Sequence, residues 1–310
     1  MSFAPASETG RQEDADHPGG PGRGYAAAVG AYVLWGLSPA FWPLLAPADA
    51  VESVAHRVAW TFLGMLLVIT VARRWVDLRG LSWRTWALIT AGSVLIAVNW
   101  GTYIWSTTHG HVVDAALGYY GTPLVSVLLA VVVLRERLRP VQWVAIGLAA
   151  AAVGVLTVGT GQLPWITLTL AVSFGLYGLV KKRVPLEPIP GLTAEGFLLG
   201  PLAIVFLVGL QITGAGTFTG FGAGHALLLV AAGPVTAIPL LLFAAGARRL
   251  PLATLGVLQY INPTLQFLWG VVVAGEPMPV SRWVGVGLVW AALVIFTLDA
   301  LRSRERSSRP

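Results

Sequence analysis

The sequence predicts an all-α polytopic membrane protein in which ten transmembrane helices form two inverted five-helix units. Three observations predict this fold: an apolar composition, a series of apolar segments long enough to cross a bilayer, and a motif that recurs 140 positions further along the chain. Of the 310 residues, 56% are hydrophobic and 11% are charged, and the mean hydropathy is +0.74. A water-soluble domain carries about 25% charged residues. Most of the surface of this chain must therefore face lipid.

The apolar segments fill nearly the whole chain. A helix that crosses the hydrocarbon core needs about 20 apolar residues, and residues 1–23 contain no such segment. We expect a disordered tail at 1–23, a first unit at 24–158, a second unit at 164–299 and a basic tail at 300–310. The predicted spans are 24–46, 50–72, 83–108, 113–134, 141–158, 164–181, 190–213, 224–247, 252–274 and 279–299.

The basic residues predict the orientation in the membrane. All 20 Lys and Arg residues except Arg57 and Arg282 lie in segments that the ten spans place on one side. Because loops rich in Lys and Arg stay in the cytoplasm, both termini are expected there. The same distribution accounts for the net charge of +6 without a nucleic-acid partner. Cysteine is absent and no nucleotide-binding glycine motif is present, so neither a thiolate metal site nor any cofactor is expected.

A motif of five residues occurs twice with identical spacing. The two copies are Tyr120, Pro123, Glu136, Trp143 and Gly147, and Tyr260, Pro263, Glu276, Trp283 and Gly287. Because each unit has an odd number of spans, the second unit enters the membrane from the opposite side. Inverted repeats of this kind are the structural basis of alternating access in secondary transporters. The alternative is that the duplication only enlarged the helical bundle.

Motifs along both units resemble the RarD-type branch of the EamA family, in the drug/metabolite transporter superfamily. The resemblance covers about 25–299 and rests on Trp35-Gly36, Glu52 with His56-Arg57, Asn99-Trp100, Leu117-Gly118-Tyr119, Tyr177-Gly178 with Lys181-Lys182, and Gln259-Tyr260 with Pro263. It implies a carrier of ten helices in the bacterial plasma membrane, built from two EamA units. It also implies export of a small-molecule substrate.

Glu52, His56 and Arg57 form the strongest candidate site. Glu52 and His56 are four positions apart and share a helix face, whereas Arg57 lies inside the second predicted span, where a charge costs on the order of 2.5–3.5 kcal/mol. We expect Arg57 to bind an anionic substrate group or a carboxylate, and Glu52 or His56 to accept a coupling proton. The alternative is that Arg57 extends to the outer head groups while Glu52 caps its helix.

The second unit keeps only part of this group. Glu195 is equivalent to Glu52, but Leu199 and Gly200 occupy the positions of the His and the Arg. We therefore expect no cation beside Glu195, and we expect Glu195→Gln to be tolerated better than Glu52→Gln.

Polar and aromatic residues form a second candidate group, expected to contact substrate in a central cavity. These residues are Tyr32, Trp35, Asn99, Trp100, Tyr119, Tyr120, Tyr177, Gln259, Tyr260 and Asn262. Pro123 and Pro263 each free a backbone carbonyl and are expected to be hinges or kinks beside the cavity, with simple packing kinks as the alternative. The fifth and tenth spans carry few polar residues, so we expect them at the periphery. The first four, sixth, eighth and ninth spans should surround the cavity.

Three functions are compatible with these features. A secondary carrier, driven by a proton or by the solute's own gradient, agrees with the inverted repeat, which an enzyme or a scaffold does not need. An intramembrane enzyme would use Glu52, His56 and Asp114 as acid and base, and a channel or scaffold is the third class. No metal site is expected at His109 and His111, because the loop that holds them and Asp114 offers no fourth ligand.

Overall fold

The structure is a computed structural model that describes residues 21–134, 140–247, 249–250 and 252–307, and within these residues it is helical and has no strand. The helices are α1 Pro21–Gly36, α2 Ala50–Val71, α3 Trp83–Thr108, α4 Val112–Leu134, α5 Pro140–Thr160, α6 Trp165–Lys181, α7 Pro188–Thr213, α8 Gly222–Ala247, α9 Leu252–Leu258, α10 Ile261–Leu268 and α11 Val280–Ser307. Within the described residues, six of them are long and apolar enough to cross a membrane by length and composition: α2, α3, α5, α7, α8 and α11.

The first predicted span is not one continuous helix. The α-helix ends at Gly36, and the chain continues through two 3₁₀ turns at Ser38–Ala40 and Trp42–Leu45. Pro39 and Pro43 explain the end of α1, because proline has no amide hydrogen to donate to the preceding turn and its ring clashes with the carbonyl four residues back. The prediction of a helix over 24–46 is therefore wrong in its second half.

The ninth predicted span is also divided. Helix α9 ends at Leu258, α10 begins at Ile261, and a π-helical turn follows at Trp269–Val273. Pro263 lies in the first turn of α10, where its missing amide hydrogen removes no helical hydrogen bond. Pro123, by contrast, lies inside α4, and the helix continues through it. The two predicted hinges thus differ: a break precedes Pro263 and none occurs at Pro123.

The other predicted spans agree with the helices to within a few residues, except that α11 extends to Ser307, into the predicted C-terminal tail. Pro21–Arg23 belong to α1, whereas the rest of the predicted N-terminal tail, 1–20, lies outside the described residues. Glu136, for which the sequence predicts a loop position, also lies outside them.

Helices from the two halves of the chain interleave in the bundle. Helix α2 packs against α7 and α8, helix α4 packs against α6 and α10, and helix α5 packs against α11. In addition, α3 packs against α6, and α8 packs against α1. Glycines on α8 allow close approach: a Cβ at Gly233 would lie 2.6 Å from the Cβ of Trp60, and one at Gly246 would lie 3.0 Å from the backbone N of Ala28. Small residues at such crossings bring helix backbones into contact.

Candidate substrate cavity

A cavity of about 490 Å³ lies inside the bundle, lined by α1 to α4, α6, α7, α8, α10 and residues next to them. Its volume falls within the range of roughly 300–1,000 Å³ typical of small-molecule sites. Among the described residues, α5 and α11 contribute none to the lining; they pack against each other, as at Gly285 and Leu156. The predicted division into lining and peripheral helices is confirmed, with α7 as an addition through Pro188 and Leu192.

Arg57 lies in the cavity wall and is only 6% exposed. Its guanidinium carbon is 4.0 Å from the ring centroid of Trp100 and 5.0 Å from that of Trp42. Each such cation–π contact contributes about 0.5–2 kcal/mol, which offsets part of the cost of placing Arg in a membrane. Within the described part of the chain, the Nε–H of Arg57 and the indole N–H of Trp42 have no hydrogen-bond acceptor, and no carboxylate forms an ion pair with Arg57.

Hydrogen bonds between helices fix the polar wall of the cavity. The Tyr119 hydroxyl donates to Oδ1 of Asn99 at 3.0 Å, and Nδ2 of Asn99 donates to the carbonyl of Leu170 on α6 at 3.2 Å. The hydroxyls of Tyr103 and Ser38 are 2.7 Å apart. Asn99 therefore joins α3 to α4 and α6 and orients Tyr119, and its own polar atoms are already paired.

A second cation, Lys181, lies at another end of the cavity. Its Nζ is 2.7 Å from Oε1 of Glu195, and the Tyr177 hydroxyl donates to Oε2 of Glu195 at 3.2 Å. The prediction that Glu195 has no cation beside it is wrong, because the partner comes from α6 and is not one of its neighbours along α7. The lining here includes Pro188, which is exposed, and Lys181, which is partly exposed.

Glu52 and His56 share a helix face, as predicted, but neither lines the cavity. Oε1 of Glu52 accepts a hydrogen bond of 2.7 Å from the backbone N–H of Thr217, in the connection between α7 and α8. The His56 ring stacks on Phe218 of the same connection, with 5.3 Å between centroids, and lies 3.9 Å from Glu52. The predicted group of three is thus divided. Glu52 and His56 contact the α7–α8 connection, whereas Arg57 faces the cavity.

Tyr120 and Tyr260 also lie outside the cavity, so the prediction that they line it is wrong. The Tyr120 hydroxyl is 2.7 Å from that of Thr264, and its ring packs edge-on against Trp290 of α11 and stacks on Tyr260. Successive positions on a helix point about 100° apart. Because Tyr119 faces the cavity, Tyr120 is turned towards α11.

Pro123 is not part of the lining, whereas the other predicted residues line the cavity: Tyr32, Trp35, Arg57, Asn99, Trp100, Tyr119, Tyr177, Gln259, Asn262 and Pro263. Sequence reasoning missed Trp42, Tyr103, Phe174, Lys181 and Phe243, which line it as well. Phe174 could have been found, since it lies three positions before Tyr177 on the same helix face. Lys181 was interpreted only as an orientation signal, and Trp42 lies in the segment that was wrongly predicted as helix.

Glu276 caps the N-terminus of α4. Its carboxylate accepts hydrogen bonds from the backbone N–H groups of Val112 and Val113, the latter at 3.0 Å. Burial raises the pKa of Glu276, and these two hydrogen bonds together with the nearby Arg282 oppose that rise. Glu276 thus joins the segment before α11 to the first turn of α4.

Asp114 belongs to the same cluster and not to the Glu52 site. Its Oδ2 is 3.0 Å from Nη2 of Arg282 and 3.0 Å from Nδ1 of His111. Neither Glu52 nor His56 is among its polar contacts, so the geometry gives no support to an acid–base group of these three residues. In the described part of the chain, no three His, Asp or Glu side chains are arranged to hold a metal ion.

Apolar helices of membrane-spanning length around a cavity of about 490 Å³ define a multi-pass membrane protein with an internal cavity of small-molecule size. The EamA-like transporter family matches residues 22–158. The protein named RarD of Streptomyces exfoliatus is 50% identical over 92% of this chain and 91% of its own length. The chain belongs to the RarD-type branch of the EamA family and is a membrane transporter of the drug/metabolite transporter superfamily.

Other relatives agree with this placement. Protein RarD of Escherichia coli (strain K12) is 38% identical over 93% of this chain and 98% of its own length. An uncharacterized transporter of Vibrio cholerae is 39% identical over 93% of this chain and 96% of its own length. A crystal structure described only as that of a protein aligns with a TM-score of 0.55 at 20% identity, covering 90% of this chain and 98% of that one, and shows the fold alone.

Proposed function

We propose that the protein is a secondary active transporter that exports a small molecule across the plasma membrane by alternating access. The observation that carries this proposal is a solute-sized cavity whose two ends differ in exposure, and we take the buried end to be the closed one. Trp42, Arg57 and Tyr103 are all buried at the closed end, whereas exposed Pro188 and partly exposed Lys181 border the other end. A solute-sized cavity open to one side is what each state of an alternating-access carrier requires.

The proposed architecture has ten spans in two inverted units, 24–158 and 164–299, with both termini in the cytoplasm. Helices α1, α4, α6 and the pair α9–α10 would supply the other four spans. The packing supports the repeat. Helix α3 meets α6 as α8 meets α1, and α2, α4 and α5 each pack against their counterparts α7, α10 and α11.

Polar contacts at the closed end join segments that this topology places outside the cell. Glu52 binds the amide of Thr217 in the α7–α8 connection, and Glu276 binds the first amides of α4. A hydrogen bond to a charged acceptor contributes about 1.5–3 kcal/mol. The structure would then be the inward-facing state, and opening the outer end would require these bonds to be replaced.

Export by matched strains tests the transport proposal. A strain lacking the gene is compared with one that expresses it, across a panel of metabolites in the medium, with and without a protonophore. We expect at least one solute to accumulate outside only when the protein is present. A proton-driven carrier loses export with the protonophore, and a carrier driven by the solute's own gradient retains it. Identical media from the two strains would contradict the proposal.

Single cysteines test the topology, because the chain has no native cysteine. His109→Cys and Lys182→Cys place a thiol at exposed positions in the α3–α4 and α6–α7 connections. A membrane-impermeant maleimide applied to intact cells should label the cysteine at 109 and should reach the one at 182 only after permeabilisation. Labelling of both in intact cells would contradict the proposed arrangement.

A further inference from the structure

The charged side chains that line the cavity are of one sign. Within the described residues, the charged members of the lining are Arg57 and Lys181, and no carboxylate is among them. Lys181 is neutralised by Glu195, whose Oε1 lies 2.7 Å from its Nζ. Arg57 has no such partner, so the cavity carries one uncompensated positive charge. A buried charge is costly unless it is paired.

Two unpaired N–H donors at the closed end indicate which kind of group would pair with Arg57. The Nε–H of Arg57 and the indole N–H of the adjacent Trp42 are buried and have no acceptor among the described residues. A guanidinium presents its donors in a planar fork that matches a carboxylate. The cation–π contact with Trp100, at 4.0 Å, supplies no hydrogen-bond acceptor for the Nε–H of Arg57.

The aromatic side chains of the cavity wall indicate the chemical character of the rest of the ligand. Aromatic rings recur along the cavity, including Trp35, Tyr119, Phe174, Tyr177 and Phe243. Rings of this kind pack against flat apolar groups at their faces and edges. Among the lining residues that the structure describes, no carboxylate is available to bind an ammonium group.

From this geometry we infer that the cavity binds a planar organic monoanion, with its carboxylate on Arg57 and Trp42 and its apolar body among the aromatic side chains. This inference rests on the proposed transport function, since it assigns the chemical class of the solute. Zwitterionic amino acids, amines and neutral amides of the same shape are expected to bind more weakly, because each lacks either the anion or a partner for its extra charge.

Binding to the purified full-length protein in nanodiscs tests the inference without requiring transport. Isothermal titration calorimetry compares benzoate, cinnamate and indole-3-acetate with their neutral amides, and includes phenylalanine as the zwitterion. We expect carboxylates to bind more tightly than their amides, and Arg57→Ala to weaken carboxylate binding about 10- to 100-fold while leaving amide binding unchanged. Arg57→Lys keeps the charge but loses the planar fork, and should retain part of the affinity.

Arg84→Ala is the matched control, because Arg84 also stacks on an indole, at 5.8 Å from the Trp83 ring, but lies on the exposed surface. Its carboxylate affinity should equal that of the unmodified protein. Three results would overturn the inference: carboxylates that bind no better than their amides, tighter binding of phenylalanine, or full carboxylate affinity in Arg57→Ala. Arg57-dependent binding without translocation in proteoliposomes would refute the transport proposal and leave the assigned ligand class intact.

Discussion

Glu52 and Glu195 occupy equivalent positions in the two halves of the chain and have different surroundings. Glu52 binds a backbone amide of the α7–α8 connection, and the nearby cation, Arg57, is turned into the cavity without a counter-charge. Glu195 binds Lys181 directly, so the cation at that end of the cavity is paired. In the proposed architecture, the two glutamates would thus serve closure at one end of the molecule and charge balance at the other.

In the proposed architecture of two inverted units, this difference would place an asymmetric site in a symmetric scaffold. Both glutamates are buried, and a buried polar group is costly unless it is hydrogen-bonded. At Glu52 the donor is an amide of a loop, which leaves Arg57 free. At Glu195 the donors are Lys181 and Tyr177. Changes to each cation and to each glutamate should therefore have separable effects.

The largest expected effect comes from removal of the unpaired cation. Arg57→Ala should reduce transport at least about tenfold, because the charge-assisted bonds to the solute are lost. Membrane abundance should stay normal, since an intramembrane Arg costs free energy on insertion. Export per unit of inserted protein measures this, with Arg84→Ala as the control. Full export by Arg57→Ala would reduce Arg57 to a residue that extends towards the head groups.

The next effect is a change in charge preference. Glu195→Gln should leave Lys181 as a second unpaired cation, so the affinity for a dicarboxylate relative to a monocarboxylate should rise by about tenfold or less, because the Lys181 side chain is 28% exposed and partly screened by solvent. The double variant Lys181→Gln/Glu195→Gln should restore the original preference. An unchanged preference in the single variant would show that the Lys181–Glu195 pair does not set the charge of the cavity.

Glu52 should give the smallest effect, and it should depend on the substitution. Glu52→Gln keeps an oxygen that accepts from the amide of Thr217 and should be nearly neutral, whereas Glu52→Ala leaves that amide unpaired and costs about 1–3 kcal/mol. Thermal unfolding in detergent measures both variants. Equal stability of Glu52→Ala and the unmodified protein would contradict a closing role. Because Glu195 has a cation partner, we expect Glu195→Gln to have the larger effect, which is the opposite of the expectation from the sequence.

Features that depend on one segment could be predicted from the sequence. Apolar runs located most of the spans, and the cost of a charge inside a membrane identified Arg57. Pro263 indicated the break before α10, because a proline cannot continue the hydrogen bonding of the preceding turn. The end of α1 could have been predicted in the same way, because Pro39 and Pro43 lie in the first predicted span. The orientation of Tyr120 could also have been predicted, because Tyr119 and Tyr120 are consecutive and cannot share a helix face.

Contacts between distant segments could not be predicted in this way. The bond from Thr217 to Glu52 and the pair of Lys181 with Glu195 each join different elements, and their distances depend on how the helices pack. The sequence indicates that a buried carboxylate needs a partner, but many polar groups could supply it. For the same reason, Lys181 could be recognised as a loop cation but not as part of the cavity wall.

Accessibility of one cavity position tests the central claim, that the Glu52 end is closed while the Lys181 end is open. Thr122→Cys places a thiol in the cavity wall of a chain that lacks cysteine, and Ser93→Cys, at a buried position outside the lining, is the control. An impermeant maleimide is applied to right-side-out and inside-out vesicles. We predict labelling of Thr122→Cys from the cytoplasmic side alone, and added labelling from outside in Thr122→Cys/Glu52→Ala. Equal labelling from both sides without the Glu52 change, or no outside labelling with it, would contradict the account.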